Sequence, residues 1–444
     1  MKRGRHPDYG SGFRLLWASV VVSGLGSGMR YVALPLLAAD LTSDPRKVSL
    51  VFLAGQLPWP LVMLSAGVLA DRVDRRRLMY TVNTARAAVA GALATAVALG
   101  DATLLLLMAV AAALDLAQRF YLGAWAGIVP AIVPPPARDR GNAALKGGSV
   151  VAGLVVGNPV GAVLYDVDPA LPFTFDALSY VVAVVLIALL RGSFRPKPKP
   201  KPKPKPKPET ETEPETETDT ETDTTDTETD TDTETKTEAG PRAPTGLFRQ
   251  AAAGFGMLWN LPLLRRIVLL AALFNFVGAA QLAVAVLFVR HTLGLSPTVY
   301  GALAAAFGVG SLLASLLEGR LVFLLGRGGV LYAALLAAAA AALGVGLSDS
   351  GWEAGFFTAA YGASMTLWAV TATTVRQNRV PGEYMGRVTM THRTVVRAAA
   401  TAGAAVGGLT AHALGLRSVF QVGSALLLVG VLAGGRGLLR ASAS

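Results

Sequence analysis

Apolar and polar residues along this chain fall into long separate blocks. Stretches of about 20 mostly apolar residues, the length a helix needs to cross a bilayer, recur near 13–39, 48–70, 78–100, 102–124, 144–165, 173–191, 264–289, 298–318, 330–348, 354–375, 391–413 and 418–438. The pattern predicts an all-α membrane protein of twelve transmembrane helices. Several spans are rich in Ala and Gly, as in AALLAAAAAALGVGL at 333–347. Small residues let helix backbones approach closely in lipid.

One polar block interrupts the series. Residues 196–208 alternate Pro and Lys, and 209–238 are almost wholly Thr with Glu or Asp. Neither can bury apolar surface, so neither folds alone. The Lys-Pro stretch is expected to be a stiff polyproline II rod and the acidic run an extended coil. The chain then divides into a 1–12 N-terminus, a six-helix bundle at 13–191, a disordered linker at 192–246, a second six-helix bundle at 247–440 and a 441–444 tail. The linker is a spacer between the halves. Its lysines could also rest on anionic headgroups while the acidic run screens basic loops.

Charge orients the spans. The sequence has a formal charge of +11, but the segment from Arg195 to Arg242 holds 14 acidic and 9 basic residues, which leaves 15 and 31 for the rest. The basic residues collect in alternate loops, such as Arg72/Arg75/Arg76/Arg77, Arg138/Arg140, Arg320/Arg327 and Arg376/Arg379/Arg387. The other loops are acidic or nearly neutral, with Asp40/Asp44, Asp101, Asp166/Asp168 and Asp349/Glu353. The positive-inside rule puts the basic set in the cytoplasm. Both termini are then cytoplasmic, which requires an even number of crossings, in a cell (inner or plasma) membrane.

Composition closes off other classes. The chain of 444 residues is 52% hydrophobic and only 16% charged, with a mean hydropathy of +0.49. A soluble domain carries roughly 25% charged residues. The high isoelectric point reflects cytoplasmic loops, so no nucleic-acid partner is expected. The sequence has no cysteine, and its four histidines are scattered, so no metal site, thiol nucleophile or cofactor is expected. Gly24-x-Gly26-x-Gly28 sits inside an apolar span and is no dinucleotide loop. No nucleotide-binding P-loop is present. The protein is read as a non-enzyme whose partners are a small-molecule substrate and the lipid bilayer, and as a monomer.

Two loops repeat. Gly67-Val-Leu69-Ala-Asp71-Arg72-Val-Asp74-Arg75-Arg76-Arg77 follows the second span, and Gly319-Arg-Leu321 through Gly326-Arg327 follows the eighth. Gly67/Gly319, Leu69/Leu321 and Arg75/Arg327 share one offset, so the halves read as parallel repeats. The first copy resembles the signature loop of the major facilitator superfamily, G-x-L-a-D-R-x-G-R-[RK], with Asp74 where the second glycine usually sits. Gly67, Asp71, Arg72, Arg75 and Arg76 would, by that resemblance, latch the cytoplasmic side against the eleventh helix. FRLLWASVVVSGLGSG in the first span, FDALSY at 175–180 and NRVPGEYMGRV at 378–388 resemble the siderophore (enterobactin-type) and macrolide exporters of that superfamily. Gly386 and Arg387 belong to the last of these. Gly153-x-x-x-Gly157-Asn-Pro159-x-Gly161 is similar to the exporter helix 5 motif, with Asn158 inserted. The resemblance implies gating roles for Gly157, Pro159 and Gly161.

Charges inside spans need a reason, since each costs roughly 2.5–3.5 kcal/mol at mid-bilayer. Arg30 binds an anionic group or pairs with an acidic cavity residue, unless its span is shallower. Asp115 and Arg119 are one turn apart and can pair, either as a proton-exchanging couple or a static ion pair. Arg393 and Arg397 share a face of the eleventh span, with Arg397 deeper. Arg86 is placed at the cytoplasmic rim. Asn275 and Gln281 bond substrate or hold helices together. The mainly cationic set favours an anionic or carboxylate-bearing substrate. The expected function is secondary active, proton-coupled export of a small amphipathic or anionic metabolite of siderophore or antibiotic class by alternating access. The alternatives are an importer and a transport-dead scaffold or sensor.

Overall fold

The computed structural model describes residues 10–56, 73–134, 137–190, 256 and 259–441. Gly67, Asp71 and Arg72 of the signature loop and the whole of the 192–246 linker lie outside the described residues. Every regular element within them is helical. The helices are α1 (Gly10–Leu41), the start of α2 (Pro45–Ala54), α3 (Arg75–Ala98), α4 (Leu104–Ile132), α5 (138–167), α6 (Leu171–Ala188) and α7 (Pro262–Thr292). Pro297–Leu347 is two helices, α8 before and α9 after Gly326, whose φ of 67° breaks the helical path. α10 (Gly351–Arg379), α11 (Gly382–Leu414) and α12 (Leu416–Ala441) complete the chain. Eleven of the twelve expected spans fall on these helices; the other, 48–70, begins on α2 and lies outside the described residues from 57 onward. Among the described residues, seven helical segments are long and apolar enough to cross a membrane by length and composition.

Local chemistry sets the boundaries. Asp74 caps α3 by accepting from the Arg77 amide at 3.1 Å, which gives the residue that departs from the signature loop a structural task. Thr103 caps α4 and Ser350 caps α10 in the same way. The start of α11 differs from expectation. The segment read as a loop before it, from Gly382 onward, is already helical behind Pro381. Proline cannot continue a preceding helix but is tolerated at a helix start. His392 and Arg393 therefore lie well inside α11 rather than opening it.

The connections alternate between two ends of the bundle. One end carries Arg76, Arg138, Arg327 and Arg379 (the basic end); the other carries Asp40, Asp44, Asp101 and Asp349 (the acidic end). The two halves join at the acidic end. There Leu36, Leu37 and Val48 share an apolar cluster with Phe288, Tyr300 and Phe420. Polar links reinforce it. Arg290 donates to Asp40 at 3.2 Å and Thr298 to Asp166 at 2.6 Å. His412 lies 3.8 Å from Asp44. The hydrogen bond from the Arg46 side chain holds the Asp44 carboxyl down to about 2, so it stays ionised at neutral and mildly acid pH. Toward the basic end the apolar clusters of described residues stay within one half each, around Leu16, Ile128 and Ile187 in one and Leu264, Val380 and Val388 in the other.

Small residues permit the close crossings. Gly403 and Gly407 of α11 face the backbone of α7 at Phe276 and Ala280, with no room for a Cβ. Without a hydrophobic drive between helices in lipid, such contacts rely on tight packing. Gly403→Leu should therefore cost about 2 kcal/mol or more, read as a lowered melting temperature in detergent. An unchanged melting temperature would refute tight packing at this crossing.

Candidate functional site

A cavity of about 870 Å³ lies between the halves. α1, α2, α4 and α5 form most of its wall, and Leu282, Tyr300 and Arg397 close it from the other half. Its lining runs from Pro35, Val48 and Tyr300 nearer the acidic end to Leu145 and Lys146 nearer the basic end. The lining is mostly apolar. Among the described residues its charged members are Arg30, Arg86, Arg119, Lys146 and Arg397 against one carboxylate, Asp115.

Asp115 and Arg119 sit one turn apart on α4 and make a two-pronged pair, with Nε to Oδ2 at 3.1 Å and a second bond from Nη2 to Oδ1. Fork-to-fork geometry of this kind is strong and directional. About a fifth of each side chain remains exposed to the cavity. Arg397 comes from α11, donates to Gln56 Oε1 of α2 at 2.7 Å, and lies within electrostatic reach of Asp115 and Arg119. It spans the interface between the halves.

A second cluster lies behind the α1 wall. Arg30 Nε donates to Asp176 Oδ2 at 2.7 Å, and Asp176 has no exposed surface. Gly26 makes this possible: a Cβ there would come within 2.9 Å of the Asp176 Cα, so only glycine lets α1 lie this close to α6. Arg86 of α3 is 3% exposed. It donates to the Tyr180 hydroxyl at 2.7 Å and to Asn83 Oδ1 at 3.3 Å. Its guanidinium lies 4.1 Å from the Tyr180 ring centroid and 5.6 Å from that of Tyr121, a cation–π sandwich that helps hold a desolvated charge. The Tyr180 hydroxyl also bonds Ser27 Oγ at 2.9 Å. The cluster carries two guanidinium groups and one carboxylate.

α5 passes α1 at equally short range. Its middle turn, Val151–Gly157, is a π-helical stretch, a local widening that recurs at functional sites. A Cβ on Gly157 would sit 2.7 Å from Leu25 O, and one on Gly161 2.6 Å from Met29 O. Pro159 opens the α-helical turn that follows. Asn158 is 1% exposed; with its amide nitrogen turned toward α1 it donates to Gly28 O at 2.9 Å and Gly153 O at 3.2 Å. The residue that departs from the exporter motif ties α5 to α1.

Of the residues singled out from sequence, Arg30, Asp115, Arg119 and Arg397 meet at the cavity. Arg393 is exposed on α11 and lines none of it. Asn275 donates to Ala271 O of its own helix at 2.8 Å. Gln281 is buried against α12 at Gly423. Arg76 donates to Ile187 O at 3.2 Å and to Ala188 O, satisfying carbonyls at the end of α6, and Arg75 starts α3. Gly386 and Arg387 are exposed on α11, with Arg387 over the Tyr384 ring. Arg86 is not at a rim. It lies eleven residues into α3, about 16 Å along the axis. Asp176 is not singled out by the sequence patterns, although an acidic residue in an apolar span is itself a signal.

Tyr180→Phe removes the hydroxyl that joins Arg86 to Ser27. It should destabilise the protein by about 2 kcal/mol, the scale of a hydrogen bond to a charged group, seen as a lowered unfolding midpoint in detergent.

The profile of the Major Facilitator Superfamily matches residues 16–404. No curated protein sequence matches the chain. Among solved structures, a bacterial homologue of the human lysosomal transporter Spinster, inward-facing and unoccupied, is similar at 15% identity, covering 99% of this chain and 98% of that one with a TM-score of 0.68. The nucleoside transporter NupG is similar at 11% identity over 96% and 98% of the two chains, with a TM-score of 0.66. A bacterial homologue of the iron transporter ferroportin, also inward-facing, has 13% identity over 98% of each chain and a TM-score of 0.65. Identities this low speak to the fold alone. With the family profile covering most of its length and the same twelve-helix fold in its structural neighbours, the protein belongs to the Major Facilitator Superfamily of membrane transporters.

Proposed function

We propose that the chain is a secondary active transporter that exports a small amphipathic or anionic metabolite, of siderophore or antibiotic class, in a proton-coupled cycle of alternating access. The observation that carries the cargo reading is the cavity's charge: among the described residues, five basic side chains and one carboxylate on a mostly apolar wall. An apolar wall with a few convergent charges suits a solute with a greasy body and an anionic group. Arg30 and Arg119 on one half and Arg397 on the other would hold that group. Asp115, exposed to the cavity, is placed to exchange a proton with cavity water.

In this reading the basic end faces the cytoplasm of a cell membrane, by the positive-inside rule, and both termini lie there. Because the halves share their apolar cluster at the acidic end, the cavity would then open inward, where an exported metabolite is loaded. The links of Asp40 to Arg290 and of Asp166 to Thr298 would part when the cavity turns outward. Gly67, Asp71 and Arg72 would form the opposing latch, and the π-helical turn with Gly157, Pro159 and Gly161 would flex against α1. Export, rather than uptake, rests on the exporter-like segments at 153–161, 175–180 and 378–388.

The absence of cysteine makes the topology simple to test. A single Thr220→Cys substitution should be labelled by an impermeant maleimide in everted vesicles and not in intact cells. Labelling from outside would invert the whole assignment.

Export of an organic anion can be read with carboxyfluorescein, loaded into cells as its cleavable diacetate. Cells producing the protein should lose the dye severalfold faster than cells without it. Arg397→Gln should cut the protein-dependent part of the loss by about tenfold, the scale of one charged contact. Equal retention in all three would sink the anion-export reading.

A further inference from the structure

We propose that Arg30, Arg86 and Asp176 form a site that binds an anionic group and a proton together, so that each anion taken up at the α1 wall loads a proton onto Asp176. The proposal rests on the anionic-cargo reading and gives its proton a place and a sign.

Arg30 connects the cavity to the buried carboxylate. Its side chain is 16% exposed and lines the cavity, while Asp176 behind it is fully buried. The guanidinium holds the carboxylate through Nε alone, and Asp176 Oδ1 has no hydrogen-bond partner among the described residues. The charged groups that face Asp176 are Arg30 from α1 and Arg86 from α3, with the Tyr180 phenol from its own helix. Two cations thus face one carboxylate that has no exposed surface. An anion at the cavity wall can engage Arg30 and satisfy the surplus charge.

Burial separates this site from the Asp115–Arg119 pair. Asp115 is partly exposed, so cavity water can solvate it if Arg119 is drawn to a solute. Asp176 has no such recourse. Once an anion competes for Arg30, the buried carboxylate loses its contact partner, and neutralisation is its low-energy response. The proton comes from cavity water. Ser27 lines the cavity and bonds the Tyr180 hydroxyl at 2.9 Å, which provides two hydroxyls between the cavity and the cluster. The proton ends on a carboxylate oxygen of Asp176, and no bond of the solute is made or broken.

Linkage is reciprocal. If the anion favours protonation, protonation frees Arg30 and favours the anion by the same factor. The proton therefore accompanies the anion instead of exchanging for it. Direction then follows the sum of the solute and proton gradients, and is outward only where the metabolite's outward gradient exceeds the inward pull on the proton, so the inference rests on the anionic-cargo reading and not on the direction of transport.

The test uses the full-length protein in detergent with benzoate and with benzenesulfonate, which cannot itself take up a proton near neutrality. Calorimetric titration in buffers of different ionisation enthalpy counts protons taken up on binding. The wild type should take up a maximum approaching about one proton per bound anion between about pH 5 and 8. Its affinity should rise by up to about tenfold per unit fall in pH over the window of uptake. Asp176→Asn should bind both anions with no uptake and an affinity flat with pH. Should that variant not give a monodisperse protein, the Arg30→Gln/Asp176→Asn double carries the same arm, with about tenfold weaker binding added. Wild-type binding without proton uptake overturns the inference and leaves the anionic-cargo reading intact. So does uptake that survives in Asp176→Asn and vanishes in Asp115→Asn. Failure of the wild type to bind either anion ends the cargo reading, and this one with it.

Discussion

A charged or polar group in hydrocarbon must find a partner inside the protein, because lipid offers none. The internal architecture of this transporter can be followed from that constraint. Three cations at the cavity show how it is met. Arg30 turns to Asp176, Arg86 to Tyr180 and Asn83, and Arg119 to Asp115. The first two partnerships cross between helices and set the rotation of α1, α3 and α6, while the third stays within α4 on its cavity face. The outcome is a wall in which charge is concentrated on one side of an apolar bundle.

The pairings depend on how closely helices approach. Gly26 brings α1 against α6 at the level of Asp176, and Gly28, Gly157 and Gly161 bring α1 against α5. A larger residue at Gly26 would separate the helices and leave Arg30 and Asp176 as two unpaired charges. Small residues and ion pairs act here as one device: the first sets the distance over which the second works. Asn158 extends it by bonding carbonyls on both α1 and α5 beside the π-helical turn, where an unmodified α-helical ladder would leave its amide without acceptors.

The two ends of the bundle are held differently, which gives the fold its directional character. At the acidic end the halves share apolar surface and hydrogen bonds between short side chains, among them Thr298 to Asp166. At mid-depth, Arg397 reaches from α11 to Gln56 of α2, a contact by one long side chain that bridges the cavity rather than closing it. Rocking of the halves would break the short contacts first and carry Arg397 with its helix. Substrate charge placed between Arg30, Arg119 and Arg397 would therefore act on both halves at once.

The sequence by itself determined the membrane-spanning helices, their number, the clustering of basic residues at one end and the i,i+4 pair of Asp115 and Arg119. Those features depend on local composition and spacing, which the chain displays directly. It also marked Arg30 and Arg397 as charges needing an explanation. Only the tertiary structure decided what the explanation was. Asp176 lies 146 residues from Arg30, and Arg86 lies 94 from Tyr180. Nothing local connects them. α3 also begins at Arg75, ahead of its apolar stretch, which moves Arg86 from the rim to the interior. Asn275 and Gln281 looked equivalent to cavity residues until the rotation of α7 turned them toward their own helix and toward α12. A spacing pattern fixes which residues share a helix face. Which way that face turns is set by the packing of the other helices, and that is a property of the whole bundle.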